Sequence, residues 1–149
     1  MTNRTLFLLL FIMLSVTQLF SQPDSTKRRY INLPRPVANL PFSDGVLVGN
    51  ALYLSGRLGL DPQSGKVPAS ADEEVRNIFD GLSKTLLEAR MSTDDLVYVE
   101  VFCTDLTLYS QFNAIYRSYF AKNFPARAFI GTNALLFGAH FEVKGIAVK

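Results

Sequence analysis

Val75, Ile78, Phe79, Leu82 and Leu86 recur at intervals of three and four, and Ser70 and Glu73 precede them at capping-box spacing. The spacing predicts a helix running to about Arg90 with a single apolar stripe. Such a stripe cannot bury itself. It has to lie on something flat, and the flat apolar surface available to a chain is the face of a β-sheet.

The strands can be found. Val46-Leu47-Val48 and Leu52-Tyr53-Leu54 are short apolar runs separated by Gly49-Asn50, a hairpin signal because the first turn position needs positive φ. The second run leads into Ser55-Gly56-Arg57, where Gly56 suggests a bulge or a close approach to the backbone. Asp61-Pro62-Gln63-Ser64-Gly65 reads as a turn. After the helix, Val97, Val99, Val101 and Cys103 alternate with Tyr98, Glu100 and Phe102 as in a strand. Leu108, Phe112, Ile115, Tyr116, Tyr119 and Phe120 form a second helical stripe, which Pro125 ends. Arg127 to Gly131 and His140 to Val148 are the last two strands. The order β-β-α-β-α-β-β predicts an α+β fold, a single sheet with both helices on one face. A chain of 149 residues, 48% hydrophobic, suits one such domain. Its uncovered sheet face predicts oligomerisation.

The N-terminus differs in composition. Arg4 precedes nine apolar residues, Leu6 to Leu14, and Ser21 offers a small residue at a cleavage point. Residues 1–21 read as a secretory signal peptide, with an uncleaved anchor as the alternative, and predict an exported protein, periplasmic or extracellular. Residues 22–36 read as a polar tether containing Lys27-Arg28-Arg29, with the start of an edge strand near Tyr30 and Ile31. The folded domain is read as 37–149. Cys103 is the only cysteine, so no intrachain disulfide forms, and on the strand pattern it reads as a small buried hydrophobe. A net charge of +2 gives no case for nucleic-acid binding.

Arg127 is the residue with the most chemistry to explain. It stands just past Pro125 among apolar neighbours, and an unpaired charge there costs free energy. It either pairs with an acid of its own chain or waits for an anionic ligand. Arg127 shares a strand face with Phe129, and His140, Glu142 and Lys144 share one on the last strand. If those strands are neighbours, Arg127 and Glu142 approach one cleft, as an internal ion pair or as two walls of a site. No metal-ligand cluster and no glycine-rich phosphate loop is present, and Ser55 has no evident His partner for a hydrolytic triad.

Several runs together resemble the RidA/YjgF/UK114 family of enamine/imine deaminases. They are Tyr53-Leu54-Ser55-Gly56, Asp61-Pro62 with Gly65-Lys66-Val67-Pro68, Val101-Phe102 with Asp105-Leu106, Phe112-Asn113-Ala114 with Tyr116, Phe124-Pro125-Ala126-Arg127, and Glu142 followed by Gly145-Ile146-Ala147-Val148. The resemblance spans about residues 37 to 149. It implies a chorismate-mutase-like α+β fold assembled as a homotrimer, with clefts between subunits. It further implies that Arg127 grips a substrate carboxylate, that Glu142 positions water, and that Ser55 and Gly56 hold the substrate. The implied reaction is hydrolysis of a 2-imino or 2-enamino acid to a 2-oxo acid and ammonia, with neither metal nor organic cofactor. The implied alternatives are a non-catalytic carboxylate-binding trimer and a ribonuclease-type member. The chain departs from the family pattern at several positions. Phe129 stands where a cysteine is frequent, Phe42 where a tyrosine is, Arg57 where a glutamine is, Leu136-Phe137 for a Leu-Pro run, and Lys144 for an acid. Phe42, Arg57 and Phe129 are therefore expected to reshape specificity.

Overall fold

The computed structural model describes residues 27–34 and 40–149. Among them, six strands form one sheet: β1 (Arg28–Ile31), β2 (Gly45–Val48), β3 (Ala51–Leu58), β4 (Leu96–Cys103), β5 (Ala126–Gly131) and β6 (Phe141–Val148). Helix α1 (Ala71–Glu88) joins β3 to β4, and α2 (Tyr109–Arg117) joins β4 to β5. The spatial order is β1-β2-β3-β6-β4-β5, with β4 and β5 parallel and the other pairs antiparallel. The order read from the sequence corresponds to β2 through β6 with the two helices. β1 is added at the edge, where the sequence predicts an edge strand.

Local chemistry accounts for these elements. Gly49 turns the β2–β3 hairpin at φ 59°, so Val48 and Ala51 pair across a two-residue loop. Ser70 caps α1, its hydroxyl accepting from the Glu73 N–H at 3.5 Å, and Asp72, Glu73 and Glu74 place negative charge in the first turn. The α1 stripe of Val75, Ile78, Phe79, Leu82 and Leu86 is buried against Leu52, Leu54, Val99, Val101, Phe141, Val143 and Ala147 of the sheet. Phe112, Ile115 and Tyr116 of α2 complete this core. Both helices thus cover one sheet face. On the other face, register places Tyr53, Ile146 and Tyr98 in one cross-strand row and Glu142 with Phe102 in another. Tyr53 there is 50% exposed.

Glu74 ties helix to sheet. Its carboxylate is fully buried and accepts from the His140 and Phe141 N–H groups at 2.8 and 2.9 Å, with His140 Nδ1 at 2.8 Å. Three partners make burial of an acid tolerable.

One expectation is corrected. Residues 1–21, which carry the reading of an export signal and a secreted protein, lie outside the described residues. Among those described, no helix is long and apolar enough to cross a membrane. Neither the export signal nor any membrane association through it is supported.

Candidate functional site

β5 decides how Arg127 is presented. Arg127 is in register with Val99 and Phe129 with Val101, both core residues of β4, so both side chains point toward the helices. The Arg127 guanidinium meets rings rather than an acid. Its Cζ lies 4.6 Å from the centre of Tyr116, 5.6 Å from Phe129, 5.8 Å from Tyr109 and 5.9 Å from Phe112. Among the described residues it forms no ion pair, and its Nη1 is buried without a hydrogen-bond partner. The Tyr116 hydroxyl is likewise buried and unpartnered, and burial raises its pKa, so it stays a protonated donor. Both residues line a cleft of about 300 Å³ together with Asn113, Arg117, Phe124 and Pro125. An arginine kept in apolar surroundings with unused donors has the chemistry to receive an anion. Of the two readings left open by the sequence, an ion pair within the chain is not seen among the described residues.

Glu142 faces the other way. It pairs in register with Leu58 on one side and Phe102 on the other, on the sheet face away from the helices. Its carboxylate lies over Gly56, at the bulge where register shifts between Leu54 and Arg57. A Cβ built on Gly56 would stand 2.0 Å from Glu142 Oε1, so only glycine leaves the carboxylate its place. Two residues along β6, Lys144 bonds Glu100 at 2.6 Å and lies over the Phe102 ring. That bond raises the lysine pKa and, with burial opposing, holds the Glu100 carboxyl below its usual range.

The other residues singled out from sequence are placed as follows. Ser55 donates its hydroxyl to Ser43 O at 2.6 Å and its N–H to Asp44 O at 3.1 Å. Arg57 is in register with the core residue Val143, pairs with Asp44 at 2.8 Å and packs against Gly81 of α1. It lies on the helix face, away from Glu142. Phe42 is 50% exposed on the segment entering β2. Cys103 is buried, its Sγ donating to Asp105 O, and burial pushes the thiol pKa up, so it is an inert packing residue. Among the described residues no group of three His, Cys, Asp or Glu side chains is placed to hold a metal ion.

One protomer does not bring Arg127 and Glu142 together. β4 separates their strands, and they occupy opposite sheet faces. The suggestion that they share a cleft if β5 and β6 are neighbours fails for a single chain. Sequence reasoning also passed over Tyr109 and Arg117. The signal available was helical: Tyr109, Phe112, Asn113 and Tyr116 are spaced by three and four, and so lie on one side of α2.

Comparison with known proteins gives concordant matches. The family model described as endoribonuclease L-PSP matches residues 33–149. A 2-iminobutanoate/2-iminopropanoate deaminase of Capra hircus is 36% identical over 128 residues, covering 85% of this chain and 93% of the relative. A RutC family protein of Aquifex aeolicus is 34% identical over 124 residues, covering 81% of this chain and 99% of the relative. Among solved structures, the YjgF gene product of E. coli superposes with a TM-score of 0.75 at 30% identity, covering 81% of this chain and 98% of the other. E. coli TdcF with bound serine gives 0.75 at 26% identity, covering 81% and 99%.

Proposed function

We propose that this chain, which belongs to the endoribonuclease L-PSP family, hydrolyses small 2-imino acids and their 2-enamino tautomers to 2-oxo acids and ammonia. Relatives named as 2-iminobutanoate/2-iminopropanoate deaminases support an imine deaminase at the level of the family. The observation that carries the reading to particular residues is the Arg127 guanidinium, enclosed by rings, without an acid among the described residues. Its planar fork fits the carboxylate that every 2-imino acid carries. The TdcF structure with bound serine is a related fold holding a carboxylate-bearing ligand.

The chemistry then runs as follows. Glu142 accepts a proton from water as the water oxygen attacks the imine carbon, and the imine nitrogen gains a proton. The tetrahedral carbinolamine collapses: protonated Glu142 returns its proton to the amino nitrogen, the hydroxyl loses a proton to solvent, the C–N bond breaks, and ammonia leaves behind a 2-oxo acid. Positioned proton transfer of this kind contributes ~10²–10⁴-fold. Since Arg127 and Glu142 of one chain lie on opposite sheet faces, the site is completed by a second copy in a homotrimer. That arrangement also covers the half-exposed sheet face. The test is the rate of 2-oxo acid formation from imino acids generated in situ, for the wild type, Arg127→Ala and Glu142→Ala. A wild-type rate no greater than buffer, or full rate in either variant, refutes the assignment.

A second reading is a non-catalytic carboxylate binder. It is favoured by one observation: Glu142 is not among the residues that line the Arg127 cleft. Carboxylate binding that Glu142→Ala leaves intact, with no rate in the wild type, would select it.

A further inference from the structure

The Arg127 guanidinium is held by faces of rings, and those rings brace one another. Tyr109 and Phe129 meet edge to face at 4.9 Å and 84°, and Phe112 and Phe129 at 5.3 Å and 79°. Phe129 is common to both pairs. It is not among the residues lining the cleft, and its ring centre lies 5.6 Å from Arg127 Cζ. A ring attracts a cation through its quadrupole. A guanidinium carries its five N–H donors in its own plane, directed outward from the edge. Attraction to a ring face therefore uses none of them, whereas a bidentate acid would use two. A ring cage can fix where the charge sits and still leave the fork free.

We propose that the cage closed by Phe129 orients the Arg127 fork for a carboxylate, and that Phe129 is a positioning residue in this chain. The inference rests on the carboxylate-binding reading of Arg127. It assigns the departure from the family's frequent cysteine a constructive role. The opposite view, that Phe129 obstructs the cleft, predicts that trimming the ring improves binding.

The experiment is calorimetric titration of the full chain with 2-oxobutanoate, a stable carboxylate, alongside thermal unfolding of each variant. Phe129→Leu is expected to weaken binding about fivefold, the scale of a cation–π contact at a partly exposed ring, and Phe129→Tyr to return it to within about twofold of wild type. Arg127→Ala is expected to abolish binding. Tyr109→Leu, at a ring 46% exposed, removes a second wall at less risk to the fold and is expected to weaken binding in the same direction. Unchanged or tighter binding by Phe129→Leu, even with a lowered unfolding temperature, overturns the inference and leaves the reading of Arg127 standing. If Phe129→Leu does not fold, unchanged binding by Tyr109→Leu overturns it equally. No binding by the wild type, or equal binding by Arg127→Ala, overturns both.

Discussion

Gly56→Ala separates stability from catalysis more cleanly than any change to a charged residue. The added methyl would stand 2.0 Å from Glu142 Oε1 and 3.0 Å from its Cδ. The first is closer than real Cβ atoms come and the second is tight, so the carboxylate must move by about an ångström. The obstructing atom is the end of a flexible side chain on a sheet face, so the move costs the fold little. Gly56 is not among the glycines with positive φ, so its backbone accepts alanine. Replacing glycine where φ permits stabilises by ~0.4–1 kcal/mol through the unfolded chain, which offsets the rotamer change. The net effect on urea unfolding is expected to lie within about 1 kcal/mol of wild type. The catalytic effect is expected to be large, because a misplacement of about 1 Å in a reacting group costs roughly 10²-fold in rate. Steady-state rates on 2-iminobutanoate should show kcat reduced by about that factor with KM little changed, since Arg127 is untouched. A wild-type kcat would refute the role of Glu142. A raised KM with unchanged kcat would instead make Gly56 part of substrate binding.

Three further outcomes follow from the same geometry. Co-expressed Arg127→Ala and Glu142→Ala chains should regain about a quarter of wild-type activity if each site takes one residue from each of two copies, and none if the site lies within one chain. Glu74→Ala should destabilise by about 3 kcal/mol or more in urea, because the His140 and Phe141 N–H groups lose their buried acceptor and a cavity opens beneath the helix; an effect under about 1 kcal/mol would show that the cluster carries little of the fold's stability. Tyr119, its pKa pushed up to about 12 by burial and by its bond to Asp80, stays neutral in the fold when the unfolded chain ionises. Its contribution is therefore complete below the ordinary value of 10.0 and lost as pH rises toward 12, so unfolding free energy should fall more steeply over that range in the wild type than in Tyr119→Phe.

Much of this fold could be read from local pattern. The α1 stripe, the Gly49-Asn50 turn, the alternation ending at Cys103 and the irregularity at Gly56 each depend on neighbours a few residues apart. Each has its counterpart in the structure. The pairing of Arg127 with Phe129 on one face, and of Glu142 with Lys144 on another, follows from the two-residue period of a strand. Arg57 is different. Its sequence position after Ser55-Gly56 suggested the site, but the bulge at Gly56 turns its side chain to the helix face and onto Asp44.

The sequence by itself therefore determined the element types, the apolar stripes and which residues share a face within an element, because these rest on short-range periodicity. Tertiary structure alone decided strand order. β6 inserts between β3 and β4, so β4 stands between Arg127 and Glu142 and their side chains leave opposite faces of the sheet. Strand pairing is a choice among distant partners, made by the burial of whole faces, and no local period encodes it. The same holds for Arg127. Whether an arginine meets an acid or four aromatic rings depends on what α2 and β4 bring beside it, and that is settled only when the chain has packed.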